Sequence, residues 1–267
     1  MKKIINKNNI IVILVFIVGI VMIFIGFNYN SKDSKLSNVR EAIENIFFYL
    51  PDDNYSDMSS ISDYCKINLV YNTKYLKNYT LLNSNDYSTD VKNSKNVIKS
   101  YKMDEVLKGL KSILGKDVTL DYSVDEVGNY KFLMTDSCLN SNKSIGKLSY
   151  NEMDKLLFSI NNYNSKNVDK LYVKWDKPIY GKDGTIILNA KALLAIKNNN
   201  GGYDLFADYK LSYLAGSVEG FNIESKIDSL YSKSFDYKIT LKKVDGNYIW
   251  TGYERINNVY GGEEIQD

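Results

Sequence analysis

The sequence predicts an α+β protein: one N-terminal transmembrane helix, then an extracytoplasmic domain with a few helices packed on an antiparallel sheet. Three observations carry this reading. Ile10 to Phe27 is an unbroken apolar run. Apolar residues recur at helical spacing over 39–50 and again over 104–114. From Val168 onward, long runs rich in β-branched and aromatic residues alternate with glycine turns and end in a hairpin.

The apolar run reads IIVILVFIVGIVMIFIGF, and eighteen helical residues reach about 27 Å, close to the hydrocarbon thickness of a bilayer. Its Ile, Val, Leu and Phe side chains favour insertion by roughly 5 to 9 kcal/mol. Lys2, Lys3 and Lys7 precede it, so residues 1–9 are expected inside as a cytoplasmic tail and the remainder outside. No Ala-x-Ala-like site and no lipobox cysteine follow Phe27, so the run is expected to stay as a signal anchor. The lipid bilayer is thus the partner expected for residues 10–27.

Residues 28–36 read as a linker. Ser37 is placed to cap a helix carrying Val39, Ile43, Ile46, Phe47 and Leu50, which Pro51 stops. Over 61–71 strand and helix spacings both fit, and 83–100 reads as a polar loop. Asp104 to Leu114 carries one apolar stripe (Val106, Leu107, Leu110, Ile113, Leu114), with Gly115 placed to end it in a left-handed cap. A hairpin of Val118–Val124 with Tyr130–Met134 follows, then a short helix over Glu152–Ile160. These elements make residues 37–160 the α+β part of the outer domain.

Residues 161–256 form its β-rich meander. Strands are expected at Leu171–Trp175, Thr185–Ile196 and Tyr203–Leu214, with turns at 181–184 and 198–202 and a short helix within 222–231. Tyr237, Ile239 and Leu241 then face Tyr248 and Trp250 across a turn containing Asp245-Gly246. Residues 257–267 are an acidic tail. In fold alone, the last hundred or so residues resemble cystatin-like or NTF2-like α+β rolls, whose final strands often form such a hairpin. That resemblance brings no site residues with it.

Composition removes whole classes of chemistry. The chain has no histidine, which excludes Ser-His-Asp and Cys-His nucleophiles and the histidine-bearing zinc sites. Two cysteines are too few for a structural zinc site within one chain. The net charge of +2 offers no general basic field for nucleic acid, so no nucleic-acid partner is expected. Cys65 and Cys138, lying outside the membrane, are expected to form a disulfide.

Other motifs carry less. Ser144-Ile145-Gly146-Lys147 matches S-x-x-K but lacks its partner motifs. Asp52, Asp53 and Asp57 share a loop without the spacing of an EF-hand, and Glu263, Glu264 and Asp267 read as solvated tail. No catalytic residue, metal ligand or cofactor is expected. The aromatics Tyr172, Trp175, Tyr203, Phe206, Tyr209 and Tyr213 fall on the predicted sheet, where they serve as core or line a ligand groove. The function expected is a membrane-anchored, non-enzymatic interaction module, possessing other envelope proteins as partners. The alternatives are a surface domain binding a small ligand, glycan or peptide, and a hydrolase using carboxylates or the Ser144–Lys147 pair.

Overall fold

The computed structural model describes residues 34–71, 73–78, 80–82, 97–124, 130–132, 138, 155–160, 170–219, 223–256 and 263–264. At 80–82, 97–99, 122–124, 130–132, 155–160 and 263–264 only the backbone is described. The apolar run 10–27 lies outside these residues. Among the described residues no helix is long and apolar enough to cross a membrane.

Contacts divide the chain into two units, Met1–Arg40 and Glu41–Asp267. In the first, residues 34–40 are helical, so helix begins ahead of Ser37 rather than after it. The second is an α+β domain. Its helices are α1 (Asp63–Val70), α2 (Met103–Leu114) and α3 (Ile223–Leu230). Residues 41–44 are also helical, and a 3-10 turn at Phe47–Tyr49 follows.

The strands are β1 (Asn54–Tyr55), β2 (Thr80–Leu82), β3 (Val97–Lys102), β4 (Tyr122–Val124), β5 (Tyr130–Phe132), β6 (Lys155–Ile160) and β7 (Lys170–Trp175). There follow β8 (Ile179–Tyr180), β9 (Thr185–Lys197), β10 (Tyr203–Phe206), β11 (Tyr213–Val218), β12 (Asp236–Val244), β13 (Asn247–Ile256) and β14 (Glu263–Glu264). Nine of them make one antiparallel sheet in the order β1-β13-β12-β9-β10-β11-β14, with β7 and β8 also paired to β9. Smaller sheets join β2-β3-β6 and β4-β5.

Alternation sets the core. On β9, Ile186, Leu188, Ala190 and Ala192 point to one face and are buried. Across the ladder Leu188 meets Ile239, which meets Tyr253, and Ile186 meets Leu241, which meets Trp250. Small Ala190 sits between Tyr237 and Trp175, where a larger side chain would collide with two rings. Phe47 and Phe48 close this face, with Phe47 4.9 Å from Tyr237 in an edge-on contact and 5.8 Å from Trp175. Bulges at Thr240/Leu241 and Leu205/Phe206 bend the strands, so the sheet curls around its aromatic filling. α2 packs on β13 and on α1, while α3 rests on β11, where a Cβ on Gly216 would meet Leu230 at 3.0 Å.

Further expectations need correction. Residues 155–160 form a strand, not a helix, because β3 offers them a full backbone ladder from Val97 to Lys102. For the same reason the end of the supposed loop 83–100 is strand from Val97; residues 83–96 lie outside the described residues. The run Tyr203–Leu214 is a hairpin rather than one strand. Buried Asp208 breaks it, its carboxylate accepting the backbone N–H groups of Ser212 at 2.9 Å and Tyr213 at 3.0 Å. Strand pairing over 118–124 begins only at Tyr122, since Val118 and Leu120 are buried without a ladder.

The ambiguous 61–71 region is helical, with the Ser62 hydroxyl capping α1 by accepting the Cys65 N–H. Gly115 ends α2 with a φ of +99°, its N–H bonding back to Lys111, although its ψ of 166° is extended rather than left-handed helical. The final hairpin turns as expected, with Asp245 and Gly246 both at positive φ.

Candidate functional site

Cys65 and Cys138 lie at disulfide distance, their Cα atoms 5.3 Å apart. Cys65 stands on α1, and Asn68, one turn later, donates its side-chain amide to the Cys138 carbonyl at 3.3 Å. The Cys138 N–H donates to the Tyr49 carbonyl, also at 3.3 Å. Three segments far apart in sequence thus meet at one crosslink. Nearby, Lys66 donates to Asp63 at 2.9 Å and to the Thr119 carbonyl at 3.1 Å, while the Asp121 N–H donates to the other oxygen of Asp63. Both charges are buried, and each has its opposite charge and a backbone group as partners.

The sheet aromatics do not share one environment. Trp175 turns towards Phe47, its ring tilted at 45° to that ring, and donates its indole N–H to Glu44. Phe206 is buried, and half-buried Tyr213 makes an edge-on contact with Phe235 at 5.6 Å. Tyr209 lies 6.4 Å from Tyr49, beyond the end of β10. Half-buried Tyr172 holds the Lys170 ammonium 4.4 Å above its ring, and Tyr203 is half-buried at the start of β10. Among the described residues, open cavities beside α2 and beside β1 are lined by other residues.

The acidic loop residues are each occupied separately. Asp52 accepts the Tyr55 hydroxyl at 2.8 Å, Asp53 pairs with Arg255, and Asp57 accepts the Ser59 N–H at 2.8 Å. Those bonds hold the Asp57 carboxyl below its usual range. Among the described residues no three His, Cys, Asp or Glu side chains gather as a metal site. Ser144, Lys147 and Asp267 lie outside the described residues, as do the side chains of Glu263 and Glu264.

Two cavities among the described residues flank α2. The apolar stripe of that helix is buried through Met103, Val106, Leu110, Ile113 and Leu114, which turns its polar face outward. On one side a cavity of about 340 Å³ is bounded by Lys74, Tyr75 and Lys77 from the loop after α1 and by Glu105 and Lys108 from α2. On the other, one of about 410 Å³ is lined by Asp104, Lys108, Lys111, Lys116 and Asn247. Gly109 lets the loop approach, since a Cβ there would stand 2.9 Å from the Tyr75 carbonyl oxygen. Burial and the Glu41 carboxylate push the Tyr75 hydroxyl up to about 12.

Lys74, Lys77, Lys108, Lys111 and Lys116 are all exposed, and among the described residues none of the five is in an ion pair. The composition hides this group, because acids elsewhere in the chain cancel its charge. The i, i+3 spacing of Lys108 and Lys111 within the predicted helix is the one local signal for it.

No protein-family model, no curated protein and no solved structure matches this chain. The likeness to cystatin-like or NTF2-like rolls therefore stands on element order alone.

Proposed function

We propose that the chain is a membrane-anchored, extracytoplasmic interaction module, a component of a cell-envelope complex. Residues 10–27 hold it in the membrane with the N-terminus inside, and the Glu41–Asp267 unit works outside as a non-enzymatic domain. The observation that carries the reading is a cysteine pair at disulfide distance in the domain that follows an unbroken apolar run. Cytosolic thiols are kept reduced, so a crosslinked pair favours the outer compartment. The absence of histidine throughout the chain favours binding over nucleophilic chemistry.

Protease added to intact cells tests the compartment. It should remove the domain and leave a short membrane-embedded fragment, and Cys65 and Cys138 should resist thiol alkylation until reduced. A mature N-terminus near residue 28 refutes the anchor, and protection of the domain in intact cells refutes the orientation. Purification of the tagged full chain in mild detergent should bring other envelope proteins with it. Recovery of a solitary monomer refutes the complex.

A further inference from the structure

We propose that the exposed face of α2, with the clefts on either side of it, docks a flexible linear polyanion rich in phosphate. This deepens the interaction-module reading by naming a partner class, and it rests on that reading for its biological setting only.

Charge complementarity is the first argument. Five ammonium groups, Lys74, Lys77, Lys108, Lys111 and Lys116, border two adjoining clefts, against the two carboxylates of Asp104 and Glu105. The whole chain carries only +2, so the excess is a local feature. Like charges held together without partners repel one another, and an anion relieves that repulsion.

Shape is the second. The 12-residue helix is about 18 Å long. It stands as a ridge between hollows of about 340 and 410 Å³ that share Lys108 and Ser112. A chain of linked anionic groups can follow one hollow and cross the ridge at Lys108 into the next. A planar bilayer surface reaches the ridge and leaves the hollows empty. The lining side chains also lack an exposed large apolar group to enter a membrane, Leu107 being only half-exposed and Leu76 buried.

Donor chemistry is the third. The face uses lysine throughout and no arginine. Lysine is a point charge on a flexible stem, suited to a chain of phosphates in varying conformations. Arginine's rigid fork suits one fixed, bidentate anion. Close approach of the Tyr75 loop to Gly109 fixes the distance between the two lysine groups.

The test uses the full chain in detergent and fluorescently labelled medium-chain inorganic polyphosphate, read by anisotropy across a salt series. Binding should weaken with salt by a slope of about 0.7 in log K per log salt for each phosphate engaged. Lys108→Gln/Lys111→Gln should cut affinity at least tenfold and lower the slope by about 1.4, two engaged phosphates' worth. Lys74→Gln/Lys77→Gln should do the same from the other cleft. The same charge change at exposed Lys182→Gln/Lys226→Gln should leave affinity within twofold. All three variants should keep the wild-type melting temperature, which separates lost binding from lost folding.

Equal weakening by the control pair overturns the proposal, as does no binding by the wild type. So does saturation at equal phosphate concentration by glycerol 3-phosphate or a short-chain phosphatidylglycerol below its micelle concentration, since a single headgroup would then suffice. Duplex DNA binding as tightly with the same lysine dependence would also overturn it, pointing to a nucleic-acid surface. None of these results depends on membrane topology. The protease and co-purification experiments can fail while this one succeeds, and the reverse.

Discussion

β13, β12, β9, β10 and β11 lie side by side through backbone ladders, and Leu188, Ile239, Tyr253, Ile186, Leu241 and Trp250 share one face of them. Among the described residues of 41–121 the ladders are shorter, two residues of β1 on β13, three of β2 on β3 and six of β3 on β6. Short helices and loops there are tied by the Cys65–Cys138 pair, the buried Asp63–Lys66 pair and single side-chain bonds such as that from Asn45 to the Tyr71 carbonyl. The sheet spreads its stabilisation over many weak, redundant contacts. The helical region concentrates it in a few strong ones, so one substitution there can release several segments at once.

Trp250→Ala is the largest expected loss within the sheet, about 3 to 5 kcal/mol by chemical denaturation, because a fully buried ring leaves a cavity beside Tyr253. If the loss is under 1 kcal/mol, the sheet is not the tightly packed partner in this comparison. Cys65→Ser should follow at about 4 kcal/mol or less, since it opens a crosslink between residues separated by 73 positions. Cys138→Ser and the double replacement should match it, and reductant should abolish the difference. Lys66→Met should destabilise by about 3 kcal/mol, leaving the buried Asp63 carboxylate without its cation. Cleavage by added protease should then appear first within residues 61–121, while the 185–256 sheet stays protected.

Gly109→Ala has two opposing terms. Alanine favours the helix by about 1 kcal/mol, but the new Cβ meets a backbone oxygen at 2.9 Å. Overpacking against backbone costs about 1 to 3 kcal/mol, so a net loss of about 1 kcal/mol is expected. A gain in stability would mean that the Tyr75 loop yields freely.

The last expected effect is a pH dependence confined to alkali. Tyr75 and Tyr231 are both pushed from 10 up to about 12, chiefly by burial, and burial raises buried Tyr237 and Tyr253 as well. Each hydroxyl keeps its proton longer in the folded state. Its stabilisation is therefore complete below pH 10 and is lost as pH rises towards about 12. Three of these four tyrosines belong to the sheet or the helical turn beside it, so alkali should loosen that region more. Tyr75→Phe should blunt only the share of the helical region, as followed by denaturation midpoints across that range.

The stripe of α2, the Gly115 stop, the Asp245-Gly246 turn and the inward set Tyr237, Ile239, Leu241 were legible in sequence because each is a local pattern. Chain spacing alone decides which side chains share a face over one helix or one hairpin. The missing histidine likewise removed triad chemistry with no structure needed. Tertiary structure decided the rest. Leu156, Leu157 and Ile160 fit a helix by spacing, yet the open edge of β3 makes strand the state that satisfies their backbone. Trp175 sits on a strand as expected, but Glu44 and Phe47, some 130 residues away, turn it inward. Lys74, Lys77 and Lys116 join Lys108 and Lys111 only because the loop after α1 and the turn after α2 fold back beside one helix. A local pattern specifies a face; which partner meets that face depends on contacts between residues that sequence order keeps far apart.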